Sequence, residues 1–337
     1  MKAVVWIVGQ TLVAGVLAGC ASEAPAPDAK TTDRAPDGSS GPAAAAPSAP
    51  PAETAAASAV QISEEDLQAA LAEKNPAMKE KPVLQSAAGQ ISTVEMHDPG
   101  VTDISPLAGL PLQGLDLSGT GVADISPLKG MSLQGLDLSH TKITELAALQ
   151  GMPLLMLYLE NTAVRDIGPL KGMPLEQLYL GRTKVEDLSP LEGMPLVEMN
   201  LMGAPVRDLR PLGTLRQLQM LWLNDTPVSD IRPLATVPLV SLTLAGTEVA
   251  DLSPLKGHPM QRLHIARTQV TDLSPLAWLR LTRLVFTPSK ITQGIEVVRN
   301  MQSLQEIGTS FGEAPDRPDD LLPPATFWQR YDAGAYK

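Results

Sequence analysis

The chain has 337 residues, of which 44% are apolar, with a net charge of −11 and a single cysteine. That excess of acid argues against nucleic acid or an anionic lipid surface as the main partner. One cysteine excludes a disulfide framework and a zinc–thiolate cluster.

Residues 1–20 read as an export signal. Lys2 gives a short positive start, Ala3–Val16 is largely apolar, and Leu17-Ala18-Gly19-Cys20 follows. This last run resembles the lipobox of bacterial lipoproteins, which implies cleavage before Cys20 and lipid attached to its sulfur. An uncleaved membrane anchor is the alternative, but the segment is short and broken by Gly9, Gly15 and Gly19. Ala21 and Ser22 follow the cysteine, with no aspartate directly after it. By resemblance to lipoproteins this favours the outer membrane of a bacterial envelope, facing either the periplasm or the surface. Residues 21–60 are mostly Ala, Pro and Ser, with seven prolines. Such a stretch cannot bury enough surface to offset its ordering entropy and reads as a tether.

Residues 61–92 read as a helical front cap. Ser63 can cap the helix, Glu64, Glu65 and Asp66 favour its first turn, and Ile62 can staple to Leu67. Leu67, Ala70 and Leu71 form an apolar stripe, and Asn75-Pro76 ends the helix.

From residue 93 to 292 a block recurs, as in Val122–Leu138 and Val185–Leu201. Its acid falls at Asp103, Asp124, Glu145, Asp166, Asp187, Asp208, Asp230, Asp251 and Asp272, in steps of 21 residues with one of 22, from Asp208 to Asp230. A unit this short cannot bury its own apolar face, so the units must stack into a solenoid. Alternation in Leu115-Asp116-Leu117 predicts a short strand with leucines inward. Equivalent pairs run from Val94/Met96 to Leu284/Phe286, ten rungs in all. The following Ser-Pro-Leu predicts a short helical turn with proline at its start, and Gly-Met-Pro returns the chain to the next strand. The last stretch, 293–337, reads as a back cap. Ile295, Val298 and Met301 share a helical face, Leu304 and Ile307 suggest a degenerate rung, and Phe327, Trp328 and Tyr331 fold over the end.

These features resemble the leucine-rich-repeat family, in particular its internalin-like bacterial kind with the Asp-Ile-Ser-Pro-Leu turn. The resemblance implies an α/β solenoid: a curved horseshoe of about ten repeats, with parallel strands on the concave side and short 3-10 turns on the convex side. One position departs from the family. Where an asparagine ladder is usual, this chain has Thr120, Thr141, Thr162, Thr183, Thr226, Thr247 and Thr268, with Pro99 and Ala204 as exceptions. A hydroxyl satisfies fewer turn groups than an amide, so a thinner polar ladder is expected.

Stacking turns each repeat position into a column. The acids could hold calcium, but each sits where a turn needs an acceptor, and capping is the favoured reading. Met131, Met152, Met173 and Met194 have Leu110, Val237 and Leu279 as their equivalents in other repeats, so they read as packing. His97, His140, His258 and His264 have no ligand-set spacing. No metal or cofactor is expected.

The central outward column is the one that packing does not obviously dictate. It reads Glu95, Asp116, Asp137, Tyr158, Tyr179, Asn200, Trp222, Thr243, His264, Val285, and the flanking column adds Met156, Gln177, Met220, Arg262 and Arg283. Three of the chain's eleven aromatic residues fall in that central column. Tyr, Trp, Met and Arg are enriched at binding surfaces, although exposed rings also stabilise neighbouring strands. The expected ligand is a protein or peptide. A glycan stacked on Tyr158, Tyr179 and Trp222 is the second candidate. An envelope hydrolase is disfavoured, because Asp116 and Asp137 occur within near-identical repeats and read as copies.

Overall fold

The computed structural model describes residues 62–311 and 320–336. Cys20, the export signal and the tether lie outside them.

Helix α1 (Glu64–Lys74) starts where the acids place it. Ser63 Oγ accepts the Asp66 amide at 3.1 Å, and Leu67 and Leu71 are fully buried. Asn75 does more than end this helix. Its amide donates to Leu71 O and Asp103 O, while its Oδ1 accepts the amides of Thr102 and Asp103. One buried side chain thus fastens the front helix to the first convex turn.

The rest of the front cap is not helical. Strands β1 (Val83–Ala87) and β2 (Gln90–Glu95) form an antiparallel hairpin around Ala88-Gly89, both at positive φ. β1 alternates poorly and is mostly exposed, which is why the sequence pattern hides it. Beyond β2 every strand-to-strand pairing is parallel, and one isolated antiparallel bridge joins Ile307 to Leu322. In order, β3 is Gly114–Asp116, β4 Gly135–Asp137, β5 Met156–Tyr158, β6 Gln177–Tyr179, β7 Glu198–Asn200 and β8 Met220–Trp222. They continue as β9 (Ser241–Thr243), β10 (Arg262–His264), β11 (Arg283–Val285) and β12 (Glu306–Gly308), and the sheet follows chain order from β1 to β12. This is a leucine-rich-repeat solenoid. Strands about 4.8 Å apart are matched on the other side by bulkier 3-10 turns, so the sheet lines the inner, concave side.

The convex turns show how the repeat is built. Each begins at a Ser-Pro-Leu or its equivalent, and the preceding aspartate clamps it. Asp103, Asp124, Asp166, Asp187, Asp208, Asp230, Asp251 and Asp272 each accept, through Oδ1, the amide two residues on, at 2.7–2.9 Å. Calcium is not needed to explain this column. Glu145, with one methylene more, is the exception at this position. The turn then ends on a glycine such as Gly172 at φ 74°, where an added Cβ would meet open space. Where Thr214, Thr236 and Trp278 replace that glycine, the 3-10 helix runs on for five residues. A Cβ-bearing residue avoids the left-handed region, and extending the helix is the way out.

The threonine column is buried, and each hydroxyl donates within its own repeat, as Thr162 does to Leu159 O at 2.7 Å. The ladder is local, with no amide bridging from rung to rung at these positions. The methionine column is packed into the core with Met173 only 2% exposed, and His258 fills the same position with Nε2 3.0 Å from Leu234 O. At the far end, α2 (Ile295–Arg299) buries Val298, β12 adds Ile307 as a further rung, and α3 (Pro324–Asp332) returns over it. Phe327 is fully buried, 5.8 Å from the Phe286 ring and stacked on Tyr336 at 4.9 Å. Arg299 ties this end together through Asp332 at 2.7 Å and lies over the Trp328 ring.

Candidate functional site

The strand register puts the outward column in one line: Asp116 pairs with Asp137, Asp137 with Tyr158, Tyr158 with Tyr179, Tyr179 with Asn200, and Asn200 with Trp222. Leu157 between Met156 and Tyr158 is fully buried while both neighbours are half-buried, so the column faces away from the core.

The column is less exposed than expected. Tyr158, Tyr179 and Trp222 are half-buried, and Asp116, Asp137, Asn200 and His264 are buried at 5%, 7%, 9% and 4% exposure. Packing does act here, because side chains on the inside of a curve crowd their neighbours one strand away. The rings show it. Tyr158 and Tyr179 stack at 4.6 Å between centroids and 27° between planes. Trp222 reaches past the intervening rung to lie 6.1 Å from Tyr179, tilted by 32°. Asn200 sits between them, donating to Glu160 Oε1 at 2.8 Å and accepting the Met202 amide at 2.9 Å.

The tyrosine hydroxyls are oriented by the flanking column. Tyr158 donates to Gln177 Oε1 at 3.1 Å and Tyr179 to Glu198 Oε2 at 2.9 Å. Burial, then the nearby carboxylate of Glu198, pushes the Tyr158 pKa up to about 12 and that of Tyr179 higher still, so both remain protonated donors. Glu160 and Glu198 were missed as site residues. They lie one column either side of the rings, where a list of central positions does not look.

At the acidic end, Asp116 and Asp137 each accept the amide two residues on, at 2.9 and 2.8 Å. Burial raises the Asp137 pKa. His97 is the nearest basic group, with Nδ1 3.7 Å from Asp116 Oδ1. At the other end, Arg262 and Arg283 are half-buried and in register, Arg283 bonded to Glu306 at 2.6 Å and stacked over Phe311. Met220 flanks Trp222 on the same strand. His264 lies in register between Thr243 and Val285. The structure therefore joins Tyr158, Tyr179, Asn200 and Trp222 into one patch, with Asp116 and Asp137 beside it. Arg262 and His264 stand two strands further along.

One large exposed ring lies off this face. Trp278, 72% exposed, occupies the convex position normally held by the left-handed glycine. A cavity of about 740 Å³ opens between the turn at Leu279-Arg280 and the α2 region around Val297 and Met301. It belongs to the back cap, and none of the outward strand residues lines it.

No family model matches the sequence, and no curated protein matches it. Among solved structures the chain is similar to internalin F of Listeria monocytogenes, at 20% identity over 73% of this chain and 87% of that one, with a TM-score of 0.51. An internalin C2 of the same organism aligns at 25% identity over 66% of this chain and 92% of that one, with a TM-score of 0.44. A functional domain of internalin J, which includes a cysteine ladder, aligns at 19% identity over 59% and 50%, with a TM-score of 0.41. The first likeness shows that the fold is that of the internalin leucine-rich repeats.

Proposed function

We propose that this protein is a non-enzymatic recognition module of the bacterial cell envelope, held to a membrane by lipid on Cys20, which takes a protein or peptide on its concave strand face. The observation that carries the reading is the joined run of Tyr158, Tyr179 and Trp222, half-buried on one face across β5 to β8. Rings already ordered by stacking and by Gln177 and Glu198 lose little freedom on binding. They offer the large, rigid contact area typical of hot spots. A second reading, glycan binding, draws on the 27° angle between Tyr158 and Tyr179, a nearly flat platform with Asn200 and Glu160 as polar neighbours.

The test uses the full chain in detergent for capture from an envelope extract, beside a glycan array. Trp222→Ala is expected to weaken capture of a protein partner by about 30-fold, roughly 2 kcal/mol. Lys171→Ala, on the convex turn, leaves it unchanged. A glycan hit that depends on Trp222 moves the conclusion to the second reading. Unchanged binding of every captured ligand by Trp222→Ala defeats both. The anchor is tested separately: Cys20→Ala is expected to abolish processing and detergent-phase partitioning, and continued tight membrane association of the variant would refute the lipid reading.

A further inference from the structure

The back cap carries a second surface, apart from the strand face. The last convex 3-10 turn, Ser274–Trp278, ends on a side chain that the fold does not use. Glycine holds this place in most repeats, and Thr214 holds it in another, turning its hydroxyl back on Pro211 O at 2.7 Å. Trp278 finds no such local use. It is 72% exposed, and no hydrogen bond, stacked ring or cation holds the indole among the described residues. A single exposed ring is ordinary, but this one has a cavity beside it.

Both sequence neighbours of the ring, Ala277 and Leu279, line that cavity, together with Val297 and Met301, whereas the ring itself does not. Leu279 is buried, Val297 and Met301 are half-buried, and the lining they share is apolar. A volume of about 740 Å³ lies within the range of clefts that accept a guest. Opposite charges stand on its border. Arg280 and Glu296 are both exposed lining residues. Arg280 makes no ion pair among the described residues, and Glu296 has only Arg299, at 3.9 Å.

An exposed ring, an apolar receptor and two opposed charges within one patch complement themselves under a twofold rotation. A copy turned about an axis through the patch lays its Trp278 in the first copy's cavity and receives the first copy's ring in its own. The same rotation sets Arg280 of each copy against Glu296 of the other. Because ring and receptor adjoin, such a contact closes as a pair. A receptor on a distant surface would build an open chain instead.

We propose that the back cap is a dimerisation surface, on which Trp278 of each copy occupies the cavity between Leu279 and α2 of a second copy of this chain. Aromatic and arginine side chains are the types that anchor protein interfaces, and here they come from one turn.

The full chain in density-matched detergent, followed by sedimentation velocity over rising concentration, tests this. Wild type is expected to pass from monomer to dimer and no further. Trp278→Ala, at an exposed site, keeps the fold and is expected to weaken pairing by about 30-fold. Trp222→Ala removes a ring of the strand face and should pair as wild type does, so the inference stands or falls apart from the ligand reading. Arg280→Glu and Glu296→Arg each place like charges across the axis and should each weaken pairing at least tenfold. Mixed in equal amounts, these two variants should recover the wild-type affinity as a heterodimer, a result that charges meeting within one chain do not give. A wild-type chain that stays monomeric at every concentration overturns the proposal, as does growth beyond the dimer. A dimer indifferent to Trp278, or mixed charge variants that fail to pair, overturns it equally.

Discussion

The two sides of the solenoid use the same kinds of residue differently. On the convex side, eight aspartates at one repeat position share one bond, Oδ1 to the amide two residues on, and their further side-chain bonds stay within the same turn. On the concave side, one position holds Asp, Tyr, Asn, Trp, Thr and His in turn, and the bonds run between rungs, as from Asn200 to Glu160 or Tyr179 to Glu198. Sameness along a column marks side chains doing the local work of the fold. Variation along a column whose backbone is uniform marks residues that the fold does not require. Where the inner face repeats itself, at Asp116 and Asp137, the repetition creates a carboxylate pair that convex aspartates, each facing solvent, do not form.

The sharpest break of that contrast is made beneath both faces. Leu180 is fully buried in the shared core. Leu180→Asp is expected to cost about 4 kcal/mol or more, the scale for a buried, unpaired charge. Because solenoid stability adds repeat by repeat, hydrogen exchange should rise most in β5 to β7. Uniform loosening from α1 to α3 would show the repeats to be one indivisible unit. Second in size is the back cap. Phe327→Ala removes a buried ring packed on Phe286 and Tyr336, a loss of about 3 kcal/mol. Urea unfolding followed by exchange should show β12 and β11 opening first.

The repeat, its strands, its inward leucines and the stapled turns were legible in the sequence because stacking forces a fixed period on them. The β1 hairpin was not, since Val83–Ala87 occurs once, is mostly exposed and carries no alternation. Asn75 was legible as a helix end but not as a bridge to residues 102 and 103, a contact between segments that only folding brings together. In the candidate site, the line of Tyr158, Tyr179 and Trp222 followed from register alone. Burial of Asp116, Asn200 and His264 did not, because curvature crowds the inner face in a way no single repeat reveals.

Removing Trp222 probes the same point at smaller magnitude. A fully exposed ring would leave stability untouched, but this one packs 6.1 Å from Tyr179. Trp222→Ala is expected to cost about 1 kcal/mol, the worth of an aromatic pair, in urea unfolding. That is small enough for the folded protein to be tested for binding. A loss as large as that of Phe327→Ala would make the ring part of the framework.

The two faces should also part under acid. Hydrogen bonds from Ser and Arg side chains and backbone amides hold Asp103, Asp124, Asp187, Asp208 and Asp272 below the usual 3.8, and Arg232 takes Asp230 to about 2. Depressed folded values stabilise fully above the unfolded value and lose that contribution as pH falls through the folded one. The convex side should therefore weaken between about pH 4 and pH 2. Asp137 has the opposite sign. Burial raises its pKa, so its charged form destabilises the fold at neutral pH, and the penalty disappears once the group is protonated. Asp137→Asn, which keeps the acceptor for the Ser139 amide, is expected to raise the urea midpoint slightly at pH 7 and to lose that advantage in acid. Asp230→Asn is expected to lower the midpoint at pH 7 and to lose its deficit as pH nears 2. Measuring both variants at pH 7 and pH 3 places them on opposite sides of wild type only if the carboxylates of the two faces serve different ends. If Asp137→Asn instead destabilises at pH 7, its charge is a structural support like those of the turns, and the inner acids owe nothing to a ligand.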